Sequence, residues 1–72
     1  MKEEEENKQK LSILLTHWIE HNKGHAQEFK RWADKAKGFD GLVSEELLDA
    51  VKHMEEVNDA LSNALVRMNN TG

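Results

Sequence analysis

Three histidines, His17, His21 and His25, recur at every fourth position in the first half of the chain. Residues four apart lie one turn above each other on an α-helix, so these side chains share one edge of a helix. Neutral imidazole is a common ligand of zinc, nickel and copper, and an i, i+4 pair can place two nitrogens on one ion. Glu28 lies on the same edge and could add an oxygen ligand. The spacing predicts a divalent transition-metal site, completed by Glu55 across the molecule or by a second chain.

The same histidines also allow a structural interpretation. Together with Asn22 and Asn58, His25 could form a polar layer that fixes the register of a helix pair at some cost in stability. A third possibility is a pH switch, because histidines that become charged inside an interface would loosen it. Two functions therefore stay open: a carrier or sensor of a metal ion, or a structural adaptor module that mediates association between proteins.

Apolar residues recur at alternating spacings of three and four in two long segments. This pattern is typical of amphipathic helices whose seam follows a repeat of about 3.5 residues. It predicts one helix over residues 8–37 and a second over residues 45–68. We expect Gly38 to end the first helix in the left-handed conformation and Ser44 to cap the second. Residues 1–7 are expected to form a flexible acidic end and residues 69–72 a flexible tail, with 8–68 as a single domain.

Because the connection is short, the two helices should lie antiparallel, giving an all-α helical hairpin. A turn near residue 40 pairs positions whose numbers sum to about 80, which places Asn22 beside Asn58. Aromatic residues at helical spacing are usually buried, so the tryptophans are assigned to the seam. The residues predicted to form the core or an interface are Leu11, Leu15, Trp18, Asn22, Phe29, Trp32, Leu47, Val51, Met54, Asn58, Leu61 and Leu65.

One hairpin of this size is a small folding unit without cysteine to form disulfides. A single core in so short a chain seldom contributes more than about 3–5 kcal/mol. Two hairpins packed into a four-helix bundle would bury more surface, so a homodimer is predicted. The residues that one hairpin would leave half covered are Leu15, Ile19, Ala26, Val57 and Ala64.

Composition argues against several other classes of protein. The net charge is -4, and no basic stripe suggests nucleic-acid binding. The longest apolar run, residues 13–15, is far too short to span a membrane. The acidic start is unlike a cationic signal peptide, so a cytoplasmic location is expected. No phosphate-binding loop or nucleophile motif is present, and we do not expect an enzyme.

The string His17-Trp-Ile-Glu-His21-Asn-x-x-His25, followed by Phe29-x-x-Trp32-Ala33, carries a resemblance to a known group of proteins. Over residues 11–68 the chain resembles small uncharacterised helical-hairpin proteins of anaerobic bacteria and archaea. Some of these are associated with nickel-binding CooT-like proteins. The resemblance implies a metal-related role for the three histidines.

Overall fold

The computed structural model describes residues 2–70, and they form two helices joined by a short turn. Helix α1 spans Lys2–Ala36 and helix α2 spans Gly41–Asn70. The two pack side by side and antiparallel into a thin rod of 56 × 14 × 12 Å. The predicted all-α helical hairpin is confirmed, and the part of the chain that is described contains no strand.

Both helices extend beyond their predicted bounds. Helix α1 begins at Lys2, so the acidic residues expected to be flexible form its first turns. Glutamates there are favourable, because the amino end of a helix carries partial positive charge. Asn69 and Asn70 continue α2, whereas the last two residues of the predicted tail, and residue 1, lie outside the described residues.

The connection differs from the predicted one, because Asp40 rather than Ser44 caps the second helix. The carboxylate Oδ1 of Asp40 accepts hydrogen bonds from the backbone N–H groups of Leu42, at 3.0 Å, and Val43, at 3.4 Å. Gly38 does not adopt the left-handed conformation; its N–H instead donates to the Lys35 carbonyl at 3.2 Å. This bond spans three residues and tightens the last turn of α1, so a carbonyl at the end of the helix gains a donor without a left-handed residue. Both predictions for the turn were wrong.

Ser44 instead joins the two helices by a hydrogen bond beside the turn. Its side chain is buried, and its hydroxyl Oγ donates a hydrogen bond to the Ala33 carbonyl at 2.7 Å. Ala33 and Ala36 are the most deeply buried residues of α1, each 1% exposed. Small side chains let two helices approach closely, so the hairpin is tightest where it turns. The buried apolar residues are Leu15, Ile19, Ala26, Ala33, Ala36 and Val51.

The face that α1 buries is only partly the predicted one. At 100° per residue, its centre is rotated by about 80° from the midline between Trp18 and Trp32. Leu11, Trp18 and Trp32, assigned to the core or an interface, are exposed in the hairpin. The alanines near the turn leave no room for indole rings between the helices, and the Trp32 ring instead lies under Lys35 Nζ, 4.5 Å from its centroid.

The predicted face of α2 does point into the seam. Its members are all buried or half-buried in the hairpin, and the α1 residues Leu15, Asn22 and Phe29 lie in the seam with them. These α2 positions are Leu47, Val51, Met54, Asn58, Leu61 and Leu65. Three residues expected to be only half covered, Leu15, Ile19 and Ala26, are buried, whereas Val57 and Ala64 are exposed.

Gly24 lies within the uninterrupted α1 helix, and a side chain added there would meet open space. No heavy atom lies within 4 Å of the position that a Cβ would take, so no neighbouring backbone requires a glycine. We expect Gly24→Ala to raise the free energy of unfolding by about 0.5–1 kcal/mol, because alanine loses less entropy in a helix interior. Urea denaturation measures the gain. Gly41→Ala, equally open but at the first residue of α2, should gain less; a destabilised Gly24→Ala would contradict the prediction.

Candidate functional site: a histidine edge within an exposed apolar stripe

The three predicted histidines form a column of rings along α1. The ring centroids of His17 and His21 are 6.0 Å apart and nearly parallel. Those of His21 and His25 are 4.4 Å apart and nearly perpendicular. Phe29 continues the column, with its centroid 6.1 Å from that of His25. The tightest contact joins His21 and His25, whose Nε2 atoms lie 2.9 Å apart.

The geometry of this pair suits either a hydrogen bond or a shared ion. At 2.9 Å, one imidazole can donate its Nε2 proton to the other. Two nitrogens each about 2.1 Å from a metal ion, at a right angle, would be about 3 Å apart. The two histidines therefore already have the spacing of adjacent ligands, before any ion is bound.

The other predicted ligands do not join this pair. His17 lies one ring further along, and Glu28 Oε1 is 3.7 Å from His25 Nδ1, the nitrogen on the other side of the ring. Helix geometry places Glu55 on the opposite face of the hairpin, so it does not complete the set. Across residues 2–70, no group of three or more histidine, aspartate or glutamate side chains is arranged to hold a metal ion. Within one chain, only His21 and His25 have the spacing that two ligands of one ion would need.

The polar layer predicted in the seam is formed by the asparagines. Asn22 Nδ2 donates to Asn58 Oδ1 at 3.0 Å, and Asn58 Nδ2 donates to the Ile19 carbonyl at 3.2 Å. Both side chains are half-buried between the helices. The contacts of His25, by contrast, are with residues of its own helix, His21 and Phe29 among them. The register pair and the histidine edge are separate features.

A stripe of exposed apolar side chains runs along α1 beside the buried seam. We define the exposed stripe as Leu11, Leu14, Trp18 and Trp32, which are 42%, 43%, 40% and 56% exposed. His21 and His25 lie on the same strip of the helix, between the two tryptophans.

Helix α2 contributes to the same face of the hairpin. Val43, Ala50, Val57 and Ala64 follow at intervals of seven residues, and helix geometry places them beside the exposed stripe. Val43 and Val57 remain exposed in the hairpin. The opposite face of the hairpin is mostly charged and polar, with Leu48 and Val66 as isolated apolar residues. One hairpin therefore has an apolar side and a polar side.

His53 lies apart from the candidate site. Its Nε2 is 3.3 Å from Asp49 Oδ2 and its Nδ1 is 3.7 Å from Glu56 Oε1, all on the surface of α2. No helix within residues 2–70 is long and apolar enough to cross a membrane.

The fold and this surface define a class of protein, an antiparallel two-helix hairpin with one apolar face. Residues 11–68 match the model of the family described as Domain of unknown function (DUF8180), and the chain belongs to that family. An uncharacterised protein of Archaeoglobus fulgidus is 33% identical over 57 residues, which cover 79% of this chain and 92% of the relative. No solved structure matches the chain significantly.

The seam of α1 contains Ile19 and Ala26, which were predicted to be only half covered, and Ala33, which was not assigned to the core. Ile19, Ala26 and Ala33 recur every seven residues, which is the spacing of a helix–helix seam. This repeat could have predicted the seam. The neighbouring stripe has the same spacing and larger side chains, so the prediction favoured that stripe instead. Ser44, whose hydroxyl joins the helices, had no comparable signal in the sequence.

Proposed function

We propose that this chain is an association module whose apolar face packs against a second copy to form a four-helix bundle. The observation that carries this proposal is the exposed stripe, two of whose members are tryptophans. Contiguous apolar surface of this kind on a small protein is typical of an interaction site. The second copy presents the same stripe, so each apolar face would cover the other.

The shape of the hairpin supports association with a partner. Its radius of gyration is 16.5 Å, whereas a compact domain of this length would have about 11 Å. Its accessible surface is 5779 Å², against about 4,600 Å² for a compact monomer of this mass. The excess, about 1,200 Å², is larger than the area that each partner buries in a stable interface, about 800 Å². A dimer would remove about two thirds of it.

Leu14 and Leu48 provide a matched test, because both are leucines of similar exposure on opposite faces of the hairpin. We expect Leu14→Glu to convert a dimer into a monomer of lower stability, since the change buries a charge in the interface. Leu48→Glu should leave the dimer intact. Sedimentation equilibrium or light scattering gives the mass of each variant, and circular dichroism reports its helix content.

Two results would contradict the proposal. One is a wild-type protein that stays a folded monomer at high micromolar concentration. The other is equal loss of the dimer in both variants, which would place the interface elsewhere. A folded wild-type monomer would instead favour a different protein as the partner of the apolar face.

A further inference from the structure

We infer that the histidine pairs of two copies meet across the dimer axis and bind one divalent transition-metal ion through four imidazole nitrogens. This inference depends on the proposed homodimer. It gives the metal-binding function predicted from the sequence a form that requires two chains. No group of three ligands exists within residues 2–70 of one chain, so a complete site needs a second source of ligands.

The order of residues in the stripe favours an antiparallel pairing of the two α1 helices. Leu14 and Trp32 lie nine residues on either side of the midpoint between His21 and His25. Trp18 lies five residues before that midpoint and Phe29 six residues after it. An antiparallel partner centred there would place Leu14 opposite the partner's Trp32, and Trp18 one residue from the level of the partner's Phe29.

The same alignment places each histidine pair against its counterpart. In an isologous interface, residue i of one copy meets residue j of the other, and j meets i in return. With the two-fold axis between positions 21 and 25, His21 faces the level of the partner's His25. Four imidazoles would then surround one point on the axis.

The dipoles of the two α1 helices agree with this orientation. Each helix carries partial positive charge at its amino end and partial negative charge at its carboxyl end. An antiparallel pair opposes these dipoles, which favours it over a parallel pair.

The local geometry supports a four-nitrogen site for a zinc-like ion. Zn²⁺ prefers four ligands in a tetrahedron, and imidazole nitrogen is one of its usual donors. The Nε2 atoms of His21 and His25 lie 2.9 Å apart, and two nitrogens of a tetrahedral Zn²⁺ site lie about 3.4 Å apart, so the rings would have to separate by about 0.5 Å on binding. Glu28 Oε1 lies 3.7 Å from His25 Nδ1 and can orient that ring from behind while Nε2 binds the metal.

Zinc titration of the metal-stripped wild-type protein tests the stoichiometry. Isothermal titration calorimetry should give one Zn²⁺ for two chains, and sedimentation should show that the metal-loaded species is a dimer. Co²⁺ in place of Zn²⁺ should give the intense visible absorption of a tetrahedral site. His21→Ala and His25→Ala should each weaken Zn²⁺ binding by roughly 100-fold or more, a larger loss than for a residue behind the ligands. His53→Ala is the control and should bind as the wild type does.

The outcomes separate this inference from the proposed function. A metal-free dimer that binds one Zn²⁺ per chain, or none, would overturn the shared site and leave the association module standing. Equal Zn²⁺ affinity in the wild type and in a monomeric Leu14→Glu variant would also overturn it. Since the stoichiometry is measured on the wild type, the test does not depend on any variant remaining folded.

Discussion

Ala33→Leu is expected to lower the free energy of unfolding by about 1–3 kcal/mol, because it adds side-chain atoms where no space exists. Ala33 is 1% exposed, and its carbonyl accepts the hydrogen bond from Ser44 Oγ at 2.7 Å. A leucine would push the helices apart where the turn holds them closest. For so small a core, whose total is about 3–5 kcal/mol, this loss would be a large fraction.

Ala60→Leu serves as the control for this effect, since Ala60 is an exposed residue in the interior of α2. An exposed substitution of this type should change stability by no more than about 0.5 kcal/mol. Urea denaturation at one protein concentration compares the two variants with the wild type. Equal stability of Ala33→Leu and wild type would mean that the seam near the turn is loosely packed.

The sequence predicted α2 better than α1, and the difference has a physical cause. Helix α2 carries its larger apolar side chains on one face, so the spacing of Leu47, Met54 and Leu61 leads directly to the seam. Helix α1 has two adjacent apolar stripes with the same spacing, one that contains both tryptophans and one that becomes alanine towards the turn. Because tryptophans are usually buried, the stripe that contains them was predicted to form the core, but the hairpin leaves it exposed.

Hydrophobicity alone could not decide between those two stripes. Which face of a helix packs against its neighbour also depends on how closely the two backbones can approach. Small side chains such as Ala26 and Ala33 permit the closer approach. The prediction that two hairpins pack together depends on the same distinction. The seam uses the stripe of α1 that contains the alanines, and the stripe that contains the tryptophans remains exposed in the hairpin.

The pairing of the helices was predictable because the turn is short. Its centre near residue 40 determines which positions face each other, and this predicts the observed pairing of Asn22 with Asn58. The approach of His21 to His25 likewise followed from their spacing of four residues. The separation of Glu28 from the metal-facing nitrogens did not follow, since it depends on side-chain rotamers that the spacing leaves free.

Removing either asparagine of the seam alone is expected to cost about 1–3 kcal/mol. In Asn22→Leu, the half-buried Asn58 Oδ1 loses its donor; in Asn58→Leu, the Asn22 amide loses its acceptor. A buried polar group left without a partner retains its full desolvation penalty. Asn63→Leu, at an exposed position of α2, should change stability by no more than about 0.5 kcal/mol.

The double variant Asn22→Leu/Asn58→Leu should be far more stable than the sum of the two single losses implies. Replacing both side chains by leucine leaves neither amide without its partner, although the Ile19 carbonyl still loses its hydrogen bond from Asn58. We therefore expect a coupling of about 1–2 kcal/mol in a double-mutant cycle measured by urea denaturation. Additive losses would mean that the 3.0 Å bond contributes nothing specific to the pair.

The double variant should also lose uniqueness of register, because a seam of apolar side chains alone can slip along its repeat. Heteronuclear NMR would then show more than one backbone amide signal for residues near the exchanged positions, where the wild type shows one. A double variant with a single set of signals would mean that the short turn and the Ser44 hydrogen bond fix the register without the asparagines.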